Sequence, residues 1–182
     1  FIIMYSGNIG LYYDLENIIK VIGGFKDRQD VVFAFVGDGT VKDKVEAYVN
    51  ENNLNNVTFI PYQDKADLIY SLNAADIHWV VNAKGIKGVS VPSKLYGVMA
   101  AGKPVLGVLD EGSEARLIVE DCNCGVCIEP GNYKEISNNI EYILNNKEEI
   151  RALGSNGRQY LETNLTKEVS INKYKENILA IN

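Results

Sequence analysis

The sequence predicts an α/β fold in which a parallel sheet is doubly wound by helices. Two observations predict it. Short apolar runs alternate with helical periodicity from one end of the chain to the other, which is the pattern of βαβ units. The apolar runs are also nearly continuous rather than alternating, as strands covered on both faces are.

FIIMY (1–5) is the first strand, and SGNIG breaks it. Leu15, Ile18, Ile19 and Ile22 follow at helical spacing, and Gly23-Gly24 stops them. VVFAFV (31–36) is the second strand, ended by GDG (37–39); Val41, Val45, Tyr48 and Val49 mark a helix. VTFI (57–60) is the third strand, PYQD turns, and Leu68, Ile69 and Leu72 form a short helix. IHWVV (77–81) is the fourth strand. A helix runs over 92–101, stopped by Gly102, and PVLGV (104–108) is the fifth strand. Ser113 caps a helix through Val119, and GVCIE (125–129) is the sixth strand. The tail is helical in pieces, 136–144, 150–161 and 169–181. No linker or repeat divides the chain, so residues 1–182 read as one Rossmann-like domain with a helical C-terminal tail.

Hydrophobic residues make up 46% and charged residues 23% of the chain, the balance of a soluble domain. The net charge is −6 and no lysine or arginine cluster stands out, which argues against nucleic acid as partner. No apolar stretch approaches the roughly 20 residues that span a bilayer. The chain starts at Phe1, inside a strand, which reads as an excised fragment. Membrane association is expected only through the parent protein, at the inner face of the plasma membrane. Cys122, Cys124 and Cys127 lack a fourth ligand nearby, and the only histidine, His78, is far off in sequence. Structural zinc takes four ligands, so neither metal nor cofactor is expected. An odd, crowded cysteine set fits a reducing cytoplasm.

Ligands of such sheets bind beyond the carboxyl ends of the strands, so the loops that follow strands are the candidates. In SGNIG, Gly7 and Gly10 allow close backbone approach, and Asn8 can donate or accept. This is no dinucleotide fingerprint, since the third glycine is missing, and no Walker loop, since no GK[ST] follows. In VSVPSKLYGVMAAGKPV (89–105), Pro92 suits a first helical turn, and Ser90 or Ser93 can cap it. Lys94 is the informative residue. A cation near a helix start opposes the helix dipole unless an anion sits there too. In PYQD, Tyr62 at a strand end is placed to flank a base. Leu95, Val98 and Met99 read as core, and lone His78 as a core histidine. No nucleophilic triad or carboxylate cluster is visible. The chemistry on view is anion binding.

YSGNIG, FVGDG, NVTFIPYQ, AADIHWVV, VPSKLYGVMAAGKPV, GSEARLI, CGVCIEPGN and LGSNGRQYLE stand here in one order. That order resembles the family 4 (group 1) glycosyltransferases, in particular the bacterial colanic-acid and exopolysaccharide transferases. The resemblance runs from Tyr5 to about Glu162. It implies a two-domain GT-B enzyme, of which this chain is the C-terminal, donor-binding domain. The substrate is then a nucleoside diphosphate sugar, a UDP-sugar above all. A hexosyl group passes to a saccharide or lipid-linked acceptor held by an N-terminal domain absent here. The resemblance places Gly7, Asn8, Gly10, Val91, Ser93, Lys94 and Leu95 around the diphosphate, and Tyr62 and Gln63 at the base. Lys94 is the stabiliser of the leaving group, and no metal is needed. In one respect the sequence departs from the family. Many members carry two glutamates eight positions apart before the AxG of the helix, the second on the ribose. Here those positions hold Val89 and Gly97. Glu114 is the candidate replacement. Two other readings stand beside the transferase: a nucleotide-sugar 2-epimerase-like enzyme, and a non-catalytic nucleotide-sugar-binding module.

Overall fold

A computed structural model describes residues 1–180. Six parallel strands form one sheet in the order β3-β2-β1-β4-β5-β6. In chain order the elements are β1 (Ile2–Ser6), a 3-10 helix (Leu11–Tyr13), α1 (Leu15–Gly23), β2 (Val32–Val36), α2 (Lys42–Glu51), β3 (Val57–Ile60), α3 (Leu68–Ala74) and β4 (Ile77–Val81). After them come α4 (Lys94–Ala100), β5 (Val105–Val108), α5 (Glu114–Asp121), β6 (Gly125–Ile128), α6 (Tyr133–Asn145), α7 (Lys147–Asn164) and α8 (Lys167–Leu179). The doubly wound sheet anticipated from the sequence is present, with every strand where an apolar run stands. The last position of the expected terminal helix, Ile181, lies outside the described residues.

Strand residues alternate between two packed faces, the consequence of the two-residue period of a strand. Ile3, Tyr5, Phe33, Phe35, Ile77 and Trp79 point to one core, which α1, α2 and α6 close with Ile18, Val45 and Ile140. Val80, Val105 and Leu109 point to the other, closed by Leu95 and Met99 of α4 and Ile118 of α5. All five residues of β4 are buried, which explains why IHWVV shows no polar alternation.

The packing of α7 fixes α4. Gly154 of α7 passes so close to Gly102 that a Cβ there would lie 2.1 Å from the Gly102 carbonyl oxygen. Only glycine permits that approach. The Arg158 guanidinium then donates to the Ala100 carbonyl at the C-terminal end of α4. Lys94 is the first residue of that helix, at its other end.

Two local expectations are corrected. The helix predicted from Pro92 begins at Lys94, because Leu95 and Tyr96 bond back to Pro92 and Ser93 in i→i−3 turns. Ser93 and Ser113 precede their helices, but neither hydroxyl makes a capping bond. The tail helix α8 leaves Ile171, Tyr174, Ile178 and Leu179 exposed.

Candidate functional site

The strand order reverses between β1 and β4, and in open α/β sheets that reversal opens the ligand crevice. A cleft of about 390 Å³ lies there, within the range of small-molecule sites. Ser6 at the end of β1 and Gly7 and Asn8 just after it line the cleft, and Tyr13 reaches it from the 3-10 helix. Tyr62 and Gln63 enter after β3, Leu68 and Leu72 from α3, and His78 and Trp79 from β4. Ser93, Lys94, Gly97 and Val98 complete the wall.

Lys94 dominates the electrostatics of this cleft. Its Nζ has no exposed surface and no hydrogen-bond partner. It lies 3.6 Å from the centroid of the Tyr5 ring and 4.4 Å from that of Tyr13. Gly7 leaves the space beside it: a Cβ there would sit 3.5 Å from Nζ. Aromatic faces attract an ammonium, yet they do not replace the hydrogen bonds that burial removes. Burial accordingly pushes the Lys94 pKa down to about 7. An anion entering beside Gly7 would supply the missing acceptor and counter-charge.

Neighbouring groups hold the two rings. The Tyr5 hydroxyl donates to the Asn8 carbonyl at 2.5 Å, and its ring meets Tyr13 edge-on at 6.1 Å. Burial, with Tyr13 and Tyr62 nearby, keeps the Tyr5 phenol protonated well above its ordinary range. The GDG turn buttresses the first glycine loop. Gly7 N–H donates to Val36 and Ile9 N–H to Asp38, each at 2.8 Å. Gly37 sits at φ +140°, and a Cβ there would lie 2.0 Å from the Gly7 carbonyl oxygen.

Gly7, Asn8, Tyr62, Gln63, Ser93 and Lys94, named from the sequence, are brought together in this cleft. Tyr62 is exposed, with its hydroxyl 3.4 Å from the Asp38 carbonyl. The Gln63 amide donates to the Pro61 carbonyl at 2.9 Å. Gly10 is not in the cleft. It is buried and borders a separate surface hollow with Asp14 and Asn17, and a Cβ there would lie 2.8 Å from the Asn8 side-chain nitrogen. Leu95 is fully buried in the second core, so its side chain is structural, because a leucine there fills the space between α4 and the sheet. Val91 and Glu114 border a neighbouring hollow of about 270 Å³, shared with Asn82, Ser90 and Ser113. Its loop is held by the Asp110 carboxylate, which accepts from Gly85 N–H and Lys87 N–H, each at 3.2 Å. Val89 is exposed on that hollow, whereas Gly97 faces the first cleft.

Sequence reasoning missed Tyr5 and Tyr13. Tyr5 looked like any strand aromatic, and the 3-10 helix that turns Tyr13 inward has no periodicity to betray it. His78 is a core residue, as read, and also touches the cleft. Its Nε2 lies 2.9 Å from the Leu72 carbonyl, so that nitrogen carries the hydrogen and Nδ1 is left without a partner. Burial lowers its pKa to about 4, and the ring stays neutral.

The family model described as "Glycosyl transferases group 1" matches residues 1–160. The chain belongs to this family. Among curated relatives of this group 1 chain, the probable glycosyltransferase WbjE of Pseudomonas aeruginosa is 29% identical over 173 residues. That match takes in 95% of this chain and 42% of the relative. The putative colanic acid biosynthesis glycosyl transferase WcaI of Escherichia coli K12 is 30% identical over 178 residues, 97% of this chain and 42% of the relative. The chain thus spans less than half the length of these relatives. Anabaena Alr3699/HepE, solved in complex with UDP and glucose, shares the fold at a TM-score of 0.77 and 20% identity. That superposition covers all of this chain and 48% of the other. Among the described residues of this group 1 chain, no helix is long and apolar enough to cross a membrane.

Proposed function

We propose that this chain is the donor-binding domain of a GT-B glycosyltransferase that uses a nucleoside diphosphate sugar, a UDP-sugar in the first instance. The observation that carries the reading is the Lys94 amine, buried without a partner beside Gly7 at the sheet's topological switch. The diphosphate lies against Lys94 and the Gly7–Asn8 backbone, and the base lies toward Tyr62 and Gln63. The sugar extends to the hollow bordered by Val91 and Glu114. Phosphate oxygens gain charge as the glycosidic bond breaks, and preorganised donors stabilise that charge best where water is excluded. Lys94 supplies such a donor. The acceptor, a saccharide or lipid-linked chain, is held by another domain of a longer polypeptide, in keeping with the share of each relative that this chain spans. The UDP and glucose found in Anabaena HepE support the choice of donor. A cytoplasmic location is part of the proposal, in keeping with three free cysteines.

Epimerisation is disfavoured by the cleft itself. Acid–base chemistry at a sugar carbon needs titratable groups in reach. Among the described residues no carboxylate lines the Lys94 cleft, and Glu114 is the single carboxylate on the hollow to which the sugar extends, so a pair of acid and base is not assembled there. Titration of the chain with UDP, UDP-sugars and inorganic pyrophosphate tests the proposal. Saturable binding of UDP, tighter than that of pyrophosphate, supports it. A folded chain that ignores all of them at about 1 mM, the weak end of specific binding, refutes it.

A further inference from the structure

Lys94 lacks the partner that a buried cation normally has. Against its Nζ stand Tyr5 from β1 and Tyr13 from the 3-10 helix, and Tyr62 from the loop after β3 and His78 from β4 line the same cleft. No carboxylate is among the described residues that line this cleft. The carboxylates on adjoining segments are engaged elsewhere: Asp14 accepts from Asn17 and Tyr133, and Asp38 accepts from Gly39 N–H. Burial is the sole cause acting on the Lys94 titration, with no charged neighbour contributing.

The two aromatic rings therefore do what a carboxylate does elsewhere, holding the amine in place, without neutralising an incoming anion's attraction for it. We propose that Tyr13 is a positioning residue of the donor site: with Tyr5 it holds the Lys94 amine free of any internal counter-ion, so that diphosphate binding draws a proton from solvent onto Nζ. The inference rests on the donor-site reading above. The step balances simply. Nζ gains one proton from water or buffer, and the resulting ammonium faces the diphosphate oxygens, with no bond broken in the ligand. Binding then carries a pH dependence that a permanently charged arginine or a salt-bridged lysine would not give.

Calorimetric titration with UDP at pH 8, repeated in buffers of different ionisation enthalpy, counts the protons exchanged. At that pH the terminal phosphate of the ligand is already ionised, so uptake reports on the protein. Uptake of about 0.5 to 1 proton per UDP is expected. Tyr13→Phe keeps the ring and should retain that count and the affinity within about twofold. Tyr13→Leu opens Nζ to water, so the count should fall toward zero and the affinity should drop about tenfold. The wild-type count stands even where the leucine variant does not fold. UDP binding without net proton uptake overturns this inference and leaves the donor site intact. Wild-type count and affinity in Tyr13→Leu overturn it too. Failure of the wild type to bind UDP removes the donor site, and this inference with it.

Discussion

The Lys94 ammonium nitrogen lies 3.6 Å from the centre of the Tyr5 ring and makes no hydrogen bond. A helix residue from one face of the sheet thereby meets a strand residue whose side chain belongs to the other face, over the carboxyl ends of β1 and β4. That contact sets the polarity of the cleft, and most of the expected outcomes below follow from it.

Replacing the amine by an isosteric apolar chain separates its two roles. Lys94→Met should weaken UDP binding by about 1.5–3 kcal/mol, the scale of a hydrogen bond to a charged group. Thermal stability should hold or rise, because an unpartnered buried amine is lost. Calorimetry and a thermal melt of the same preparations check both halves.

The same burial gives stability a pH dependence of known sign. Lys94 titrates near 10.5 when unfolded and near 7 when folded. Between those values the unfolded chain binds more protons, so stability rises with pH across that window. The penalty is full below pH 7 and fades as pH climbs. Urea melts of wild type and Lys94→Met should therefore differ most at pH 7, in favour of Met, and converge toward pH 10. A gap that widens with pH contradicts the assignment.

The GDG turn is a structural support of the cleft. Gly37→Ala places a Cβ 2.0 Å from the Gly7 carbonyl oxygen at φ +140°, and should cost about 3 kcal/mol or more. The loss should be visible in urea unfolding. Gly88, also at positive φ but with open space around it, is the control: Gly88→Ala should cost about 1 kcal/mol, the backbone term alone.

The position of the missing carboxylate is open to refilling. A Cβ at Gly97 meets only the Leu72 Cδ1, at 3.6 Å, an ordinary contact. Gly97→Glu should fold at least as well as wild type, since glycine inside a helix costs up to about 1 kcal/mol. It should also bind UDP more tightly than 2′,3′-dideoxy-UDP by a larger ratio than wild type does. An unchanged ratio, measured by competition, shows that the ribose lies elsewhere.

The strands and helices were legible because burial on both sheet faces writes continuous apolar runs, and Ile77–Val81 is the clearest of them. Lys94 was legible because a cation at a helix start opposes the helix dipole. Its surroundings were not. The turn of Leu11–Tyr13 depends on Asp14 adopting φ 51° and on the tertiary fit of Tyr13 against Tyr5, and neither has a local sequence signature. Leu95 was legible as core from its spacing with Val98 and Met99, and its side chain packs there against β4, β5 and α5. The close fit of Gly10 against the Asn8 side chain has no local signature either.

The central claim is that a nucleoside diphosphate binds beside Lys94 at the β1–β4 switch. The most direct test is a 15N-labelled amide spectrum of the chain recorded during titration with UDP. The account predicts saturable shifts concentrated at Gly7, Asn8, Gln63 and Lys94, lost or weakened at least about tenfold in Lys94→Met. Saturable shifts confined to other surfaces, or the same pattern and affinity in Lys94→Met, would contradict it.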